Sequence, residues 1–186
     1  DEVDGSARHA NALARFTSNI GGFELNDLYF VSVEQGNDPR AQVQADKDEA
    51  NSLQTPVGYI DVMLMKCKSR GSVELGSTDP TVSPIVNENM LSDPLDLARM
   101  RFGVRKLIEL FQSPRMEELV AANDSTGKLM IELGRANDGL SLPLDEVSNM
   151  TDEELNRWMQ QTLSDGIHVS CSIPMGVDQD SCVDTD

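Results

Sequence analysis

The chain has 186 residues, 39% hydrophobic and 25% charged, with a formal net charge of −17; that suits one soluble hydrophobic core with a lobe attached, not a disordered chain. The acidity disfavours nucleic acid and anionic membrane surfaces as partners, because phosphate binding needs a basic surface. No apolar run approaches the ~20 residues of a bilayer span, and the longest, Val57–Met65, is interrupted by Gly58 and Asp61.

In chain order, Ala7–Thr17 has weak helical character and Gly21-Gly22 breaks it. Phe23–Val33 is rich in aromatic and β-branched residues and predicts a strand. Glu34–Gln54 is polar and acidic, carries Asn37-Asp38-Pro39, and reads as a long surface loop. Pro56–Lys66 predicts a second strand. Alternation puts Val57, Tyr59, Asp61, Met63 and Met65 on one face, and Gly58, Ile60, Val62 and Leu64 on the other. Ser69-Arg70-Gly71 turns the chain into a short third strand, Ser72–Leu75, and Thr78–Pro84 is a loop punctuated by prolines.

The clearest helix runs from about Pro94 to Gln112, with Asp93 as N-cap and Pro94 in the first helical position. Leu97, Met100, Val104, Leu107/Ile108 and Phe111 recur at helical spacing and form a core stripe. Pro114 ends the segment, and Arg115–Ala122 predicts one more short helix. Asp145-Glu146 reads as loop. Thr151-Asp152-Glu153-Glu154 is a capping box that opens a second clear helix. Its buried face is Leu155, Trp158, Met159 and Thr162/Leu163, and Gly166 is its stop. Ile167–Ile173 then reads as extended chain. Strands followed by helices, without strand–helix alternation, predict an α+β fold: an antiparallel β-sheet with helices packed on one side.

The motifs for a dinucleotide, a phosphate loop, zinc or a serine nucleophile elbow are missing. Cys67, Cys171 and Cys182 imply no disulfide framework. A Cys171–Cys182 bridge stays open, but three thiols in a reducing compartment is the simpler reading, and it favours a cytoplasmic over a secreted placement. The chain opens Asp-Glu-Val-Asp-Gly, with neither an initiator Met nor a signal segment. Two histidines can accept protons near neutral pH. His9 lies in a polar stretch and reads as a solvated surface residue. His168 sits between Ile167 and Val169, just after a helix stop. Taken alone it reads as a structural histidine rather than a catalytic one. Cys171 lies close by in acidic surroundings that do not activate a thiolate.

Two stretches change that reading. The first is Ser69-Arg70-Gly71-Ser72-Val73-Glu74-Leu75-Gly76-Ser77-Thr78-Asp79-Pro80, continuing through Pro84-Ile85, Asn87, Asn89, Leu91-Ser92 and Asp96. The second is His168 to Gly176 followed by Val183-Asp184, in which His168, Met175 and Gly176 hold the spacing. Together they resemble the substrate domain of the glucose–methanol–choline (GMC) family of flavin oxidoreductases. The likeness runs over roughly 21–186 and implies two parts: an N-terminal flanking segment, 1–22, and a substrate-binding domain, 23–186, truncated at its C-terminal end. It implies FAD as cofactor, a small-molecule alcohol as substrate, and His168 as the base that takes the hydroxyl proton while hydride passes to the flavin. It implies that the sheet walls the pocket over the flavin ring.

The departures from the family pattern are Val169 in place of its Pro and Cys171-Ser172 in place of its Gly-Thr. The family's later segment and its Gly-rich nucleotide-binding part find no match in this sequence. The expectation is therefore a fragment whose partner is the missing FAD-binding domain of the same protein, and which is inactive alone. The alternative is a non-catalytic acidic α+β binding domain or a degenerate relative.

Overall fold

In the computed structural model, the structure describes residues 12–22, 24–34, 58–116, 118, 130–131, 142–163, 175–177, 179, 181 and 183. Three antiparallel strands form the main sheet, in the order β1 (Ala12–Phe16), β2 (Leu28–Glu34), β3 (Gly58–Leu64). Leu28 faces Leu64, Val31 faces Asp61, and Phe16 faces Leu28 across the first pair. Two short hairpins follow: β4 (Ser72–Glu74) with β5 (Ile85–Asn87), and β6 (Met130–Ile131) with β7 (Leu142–Pro143). Three helices have described bounds: α1 (Pro94–Phe111), α2 (Leu144–Asn149) and α3 (Asp152–Thr162); residues 114–116 and 118 are helical as well, and the rest of the short helix expected over Arg115–Ala122 lies outside the described residues. The architecture is α+β, as the element order predicts.

Three local expectations are corrected. Ala12–Phe16 is a strand, not helix: pairing with β2 lets Phe16 stack on Phe30, with ring centroids 4.6 Å apart, and tertiary pairing outweighs weak helical propensity. The main sheet therefore reaches back to Ala12. Strand β2 begins at Leu28 rather than Phe23, because Asn26 takes a left-handed φ of 57° in the preceding turn. Asp145 and Glu146 lie in the first turn of α2, not in a loop, where carboxylates complement the helix dipole. Strand β5 has no counterpart among the predicted elements. The loop expected over Glu34–Gln54 and the extended segment Ile167–Ile173 fall almost wholly outside the described residues.

Helix α1 begins as its sequence dictates. The Asp93 side chain accepts from the Leu95 N–H at 2.8 Å, and Pro94 fills the first position. The helix packs closely on the sheet at Gly103. A Cβ there would lie 2.8 Å from Val62 Cγ2 and 3.3 Å from Leu28 Cδ2. That contact fixes which face of the sheet is covered. Leu28, Phe30, Val62 and Leu64 turn toward α1. Arg15, Tyr29 and Met63 form one cross-strand row on the opposite face, and Leu13, Val31 and Asp61 form a second.

The other side of α1 meets α2 and α3 in a core of Leu91, Met100, Val104, Ile108, Val147, Leu155, Trp158 and Met159. The capping box of α3 is complete: Thr151 Oγ1 accepts from the Glu154 N–H, and the Glu154 carboxylate accepts from the Thr151 N–H at 2.8 Å. Arg105 donates to the carbonyls of Ser148 and Met150, which satisfies acceptors at the end of α2. Among the described residues, no helix is long and apolar enough to cross a membrane.

Candidate functional site

Asp96, in the first turn of α1, is 1% exposed. A buried carboxylate needs donors, and here the preceding turn supplies them. The Lys68 N–H donates to both carboxylate oxygens (2.9 and 2.8 Å), and the Ser69 N–H and Ser69 hydroxyl each donate to Oδ2 at 2.7 Å. The Ser69 oxygen accepts in turn from the Asp93 N–H at 3.1 Å. The turn leaving β3 is thereby locked to the start of α1. Asp96 is committed to four hydrogen bonds and is a structural carboxylate, not a proton shuttle.

One turn further along α1, Arg99 is fully buried. Its guanidinium donates to the Ile20 carbonyl from Nε (3.1 Å) and Nη2 (3.0 Å) and to Glu24 Oε2 at 2.6 Å, and Nε lies 3.3 Å from Asp27 Oδ2. Asp27, 1% exposed, also accepts from the Ser18 N–H at 2.8 Å and from the Ser18 hydroxyl. Lys68 Nζ reaches Glu24 Oε1 at 2.6 Å. The Lys68 ammonium first, and the Arg99 guanidinium second, hold the Glu24 carboxyl below its usual range. Sequence reading missed this hub. Its one signal is an arginine, Arg99, placed beside Met100 on the stripe assigned to the core.

The motif Ser69-Arg70-Gly71 acquires a physical meaning here. Ser69 ties to Asp96. Arg70 folds its guanidinium over the carbonyls of Cys67, Lys68 and Ser69 (3.3, 3.0 and 3.2 Å). Gly71 passes so close to β5 that a Cβ would lie 2.1 Å from the Asn87 carbonyl oxygen and 2.9 Å from that of Glu88. Asn89 Nδ2 donates to the Arg70 carbonyl at 2.8 Å, which closes the base of the β4–β5 hairpin. At the hairpin's far end, Asp79 Oδ1 accepts from the N–H (2.9 Å) and hydroxyl (2.8 Å) of Thr81, which draws its carboxyl below the usual range. The sequence Ser-Thr-Asp-Pro is thus an Asx turn.

His168 and the neighbouring Cys171 and Ser172 lie outside the described residues, as does His9. The end of that motif is described: Met175 forms a parallel bridge with Val183, and the Gly176 N–H donates to the Val183 carbonyl at 2.9 Å. The stretch after the motif therefore closes back on Met175-Gly176.

Shallow surface grooves are present among the described residues. One, of about 600 Å³, is lined by Phe16, Phe30, Phe102, Lys106 and Leu110 among others; another, of about 400 Å³, lies between α2 and α3. Neither offers the glycine-rich run of backbone N–H groups at a helix start that cradles a dinucleotide pyrophosphate. No group of three or more potential metal ligands occurs among the described residues.

The C-terminal family model described as GMC oxidoreductase matches residues 67–186, from the Ser69 turn through the bridge at Val183. The chain belongs to the GMC oxidoreductase family. Oxygen-dependent choline dehydrogenases of Paraburkholderia phytofirmans and Paraburkholderia xenovorans are each 30% identical to it over 122 residues, 66% of this chain and 18% of theirs. A protein named (R)-mandelonitrile lyase-like from Arabidopsis thaliana is 37% identical over 71 residues, 38% of this chain and 13% of its own length. The matched stretch thus spans less than a fifth of these GMC relatives.

Proposed function

We propose that this chain is the substrate-binding portion of an FAD-dependent GMC oxidoreductase acting on CH–OH groups, with His168 as its base. The observation that carries the reading is the family match over 67–186, which contains His168 at its spacing from Met175-Gly176. The choline dehydrogenase relatives cover 66% of the chain and the lyase-named protein 38%, which favours oxidation of an alcohol over bond cleavage.

In this reading the imidazole of His168 accepts the substrate hydroxyl proton, a role suited to a group that titrates near neutral pH. Flavin, when bound in the complete protein, supplies the acceptor for the hydride. The FAD-binding domain and the small-molecule alcohol are the partners. The sheet face turned away from α1, with Arg15, Tyr29 and Met63 in one row and Leu13, Val31 and Asp61 in the next, is the pocket wall. Tyr29, 8% exposed, donates its hydroxyl to Met63 Sδ at 3.0 Å and stiffens that wall. We place the start of the substrate-binding domain at or before Ala12, because β1 is part of this sheet.

The test is His168→Ala in a full-length, flavin-loaded form. Turnover should fall by about 10²–10⁴-fold, the usual contribution of a general base, with flavin content unchanged. Unchanged turnover would remove His168 from the chemistry.

A further inference from the structure

Tyr29 spends a buried hydroxyl on a poor acceptor. Leu28 and Phe30, its neighbours on β2, turn toward α1, so alternation carries the Tyr29 ring to the opposite face of the sheet. There it is 8% exposed. A buried phenol needs a hydrogen-bond partner, and the partner of this one is Met63 Sδ, 3.0 Å away on the facing strand. A thioether is a weak acceptor. The bond holds the ring in place, yet little is lost when it is exchanged for a bond to oxygen. The cross-strand partner of Tyr29 on β1 is Arg15, whose side chain carries donors and no acceptor. Along the row Arg15–Tyr29–Met63 the side chains thus present hydrogen-bond donors, and a sulfur as their acceptor.

We propose that Tyr29 is a specificity-determining residue: its hydroxyl leaves Met63 Sδ and donates to an acceptor oxygen that the alcohol substrate carries besides the hydroxyl being oxidised. The inference rests on the functional reading above, in which this sheet face walls the pocket, and adds which alcohols the wall selects. They are alcohols with a second oxygen, as an ether, carbonyl or carboxylate, rather than plain hydrocarbon alcohols. Met63 sets how strong the selection is. A buried donor left bare by an oxygen-free substrate would discriminate sharply, because an unpaired polar group is costly there. Here the sulfur takes the hydrogen bond back whenever no oxygen is offered, so the penalty against a hydrocarbon chain is modest.

Two isosteric probes test this in a full-length, flavin-loaded form: methoxyethanol and n-butanol, which differ by an ether oxygen in place of a methylene. The readout is the ratio of their kcat/KM values, ether over hydrocarbon. Tyr29→Phe should lower that ratio by about three- to tenfold, the scale of one neutral hydrogen bond net of a weaker one. Met63→Leu should raise it, because the phenol then has no acceptor until the ether supplies one. A ring that merely packs would give an equal loss on both alcohols. That result in Tyr29→Phe, or a ratio that Met63→Leu lowers, would overturn the proposal.

If neither alcohol is turned over, the methyl proton resonance of Met63 in the same protein decides. Methoxyethanol should shift it more than n-butanol does, and the excess should vanish in Tyr29→Phe; no excess in the wild type overturns the proposal. His168→Ala separates the two readings. It should abolish turnover of both alcohols and leave the Met63 shift in place. Turnover that ignores His168 sinks the catalytic reading while the ratio still reports on Tyr29. A ratio that ignores Tyr29, in a protein that His168→Ala silences, sinks the selection and leaves the base standing.

Discussion

The two ends of the β4–β5 hairpin solve opposite problems. At its base, charged and polar groups are buried and every one of them is paired: Asp96 by Lys68 and Ser69, Asp27 by Ser18 and Arg99, Arg99 by Ile20 and Glu24. At its tip, apolar groups are exposed: Leu75, Val82, Ile85 and Val86 are half or more exposed. Burying charge is costly unless it is paired, and exposing apolar surface forgoes the main stabilising term in folding. The base therefore holds this chain together. The tip contributes little to it, and that difference separates substitutions that unfold the chain from those that leave its stability alone.

The largest expected effect comes from breaking the base. Arg99→Met keeps the helix and much of the side-chain volume but leaves Asp27 buried at 1% exposure without its cation. Removing one partner of a buried pair typically costs 3–5 kcal/mol. Urea unfolding followed by circular dichroism should show a loss of about that size. A loss below about 1 kcal/mol, the general range of exposed ion pairs, would mean that the hub is no stronger than a surface ion pair. Gly71→Ala tests the joint between base and tip. Its Cβ would meet backbone carbonyl oxygens of Asn87 and Glu88, which cannot swing aside as a side chain can. The hairpin has to shift, at a cost of about 1–3 kcal/mol, and the amides of residues 72–74 and 85–87 should exchange faster than in wild type.

These two substitutions also show how much the sequence discloses. Helix α1 was legible because Asp93, Pro94 and the stripe from Leu97 to Phe111 all agree, and α3 because its capping box is local. The strand at Ala12–Phe16 was not, since its stability comes from partners at Leu28–Ser32. Strand β5 is three residues long, too short for a period to show. The motif Ser69-Arg70-Gly71 could be read as a turn, but its reason could not. The reason is a carboxylate 27 residues away and a carbonyl oxygen of Asn87 beside Gly71. The hub around Arg99 joins Ser18, Ile20, Glu24, Asp27 and Lys66, up to 79 residues distant, and no local pattern encodes such a set. His168 came from spacing and family likeness alone.

Acid should weaken the base through Glu24. Its carboxyl is held below the ordinary value of 4.5 by Lys68 and then Arg99. A depressed carboxyl stabilises the fold fully above its unfolded pKa, and that contribution fades as pH falls through the lowered folded value. Glu24→Gln abolishes this titration. Between pH 6 and about pH 3, the stability of the wild type should therefore fall more steeply than that of Glu24→Gln, with the two curves converging at the acid end. Parallel curves would show that Glu24 is not coupled to folding.

The smallest effect is expected at the tip, and its smallness is the point. Leu75 is 88% exposed, so it is already in water in the folded chain. Leu75→Ser removes almost no buried area, and surface changes of this kind stay within about 0.5 kcal/mol. The midpoint of thermal unfolding should move by no more than about 2 °C, while the hairpin's amide exchange stays at its wild-type rate. A large loss would mean that the tip packs on something within these 186 residues, and the division between a paired base and a bare tip would fail.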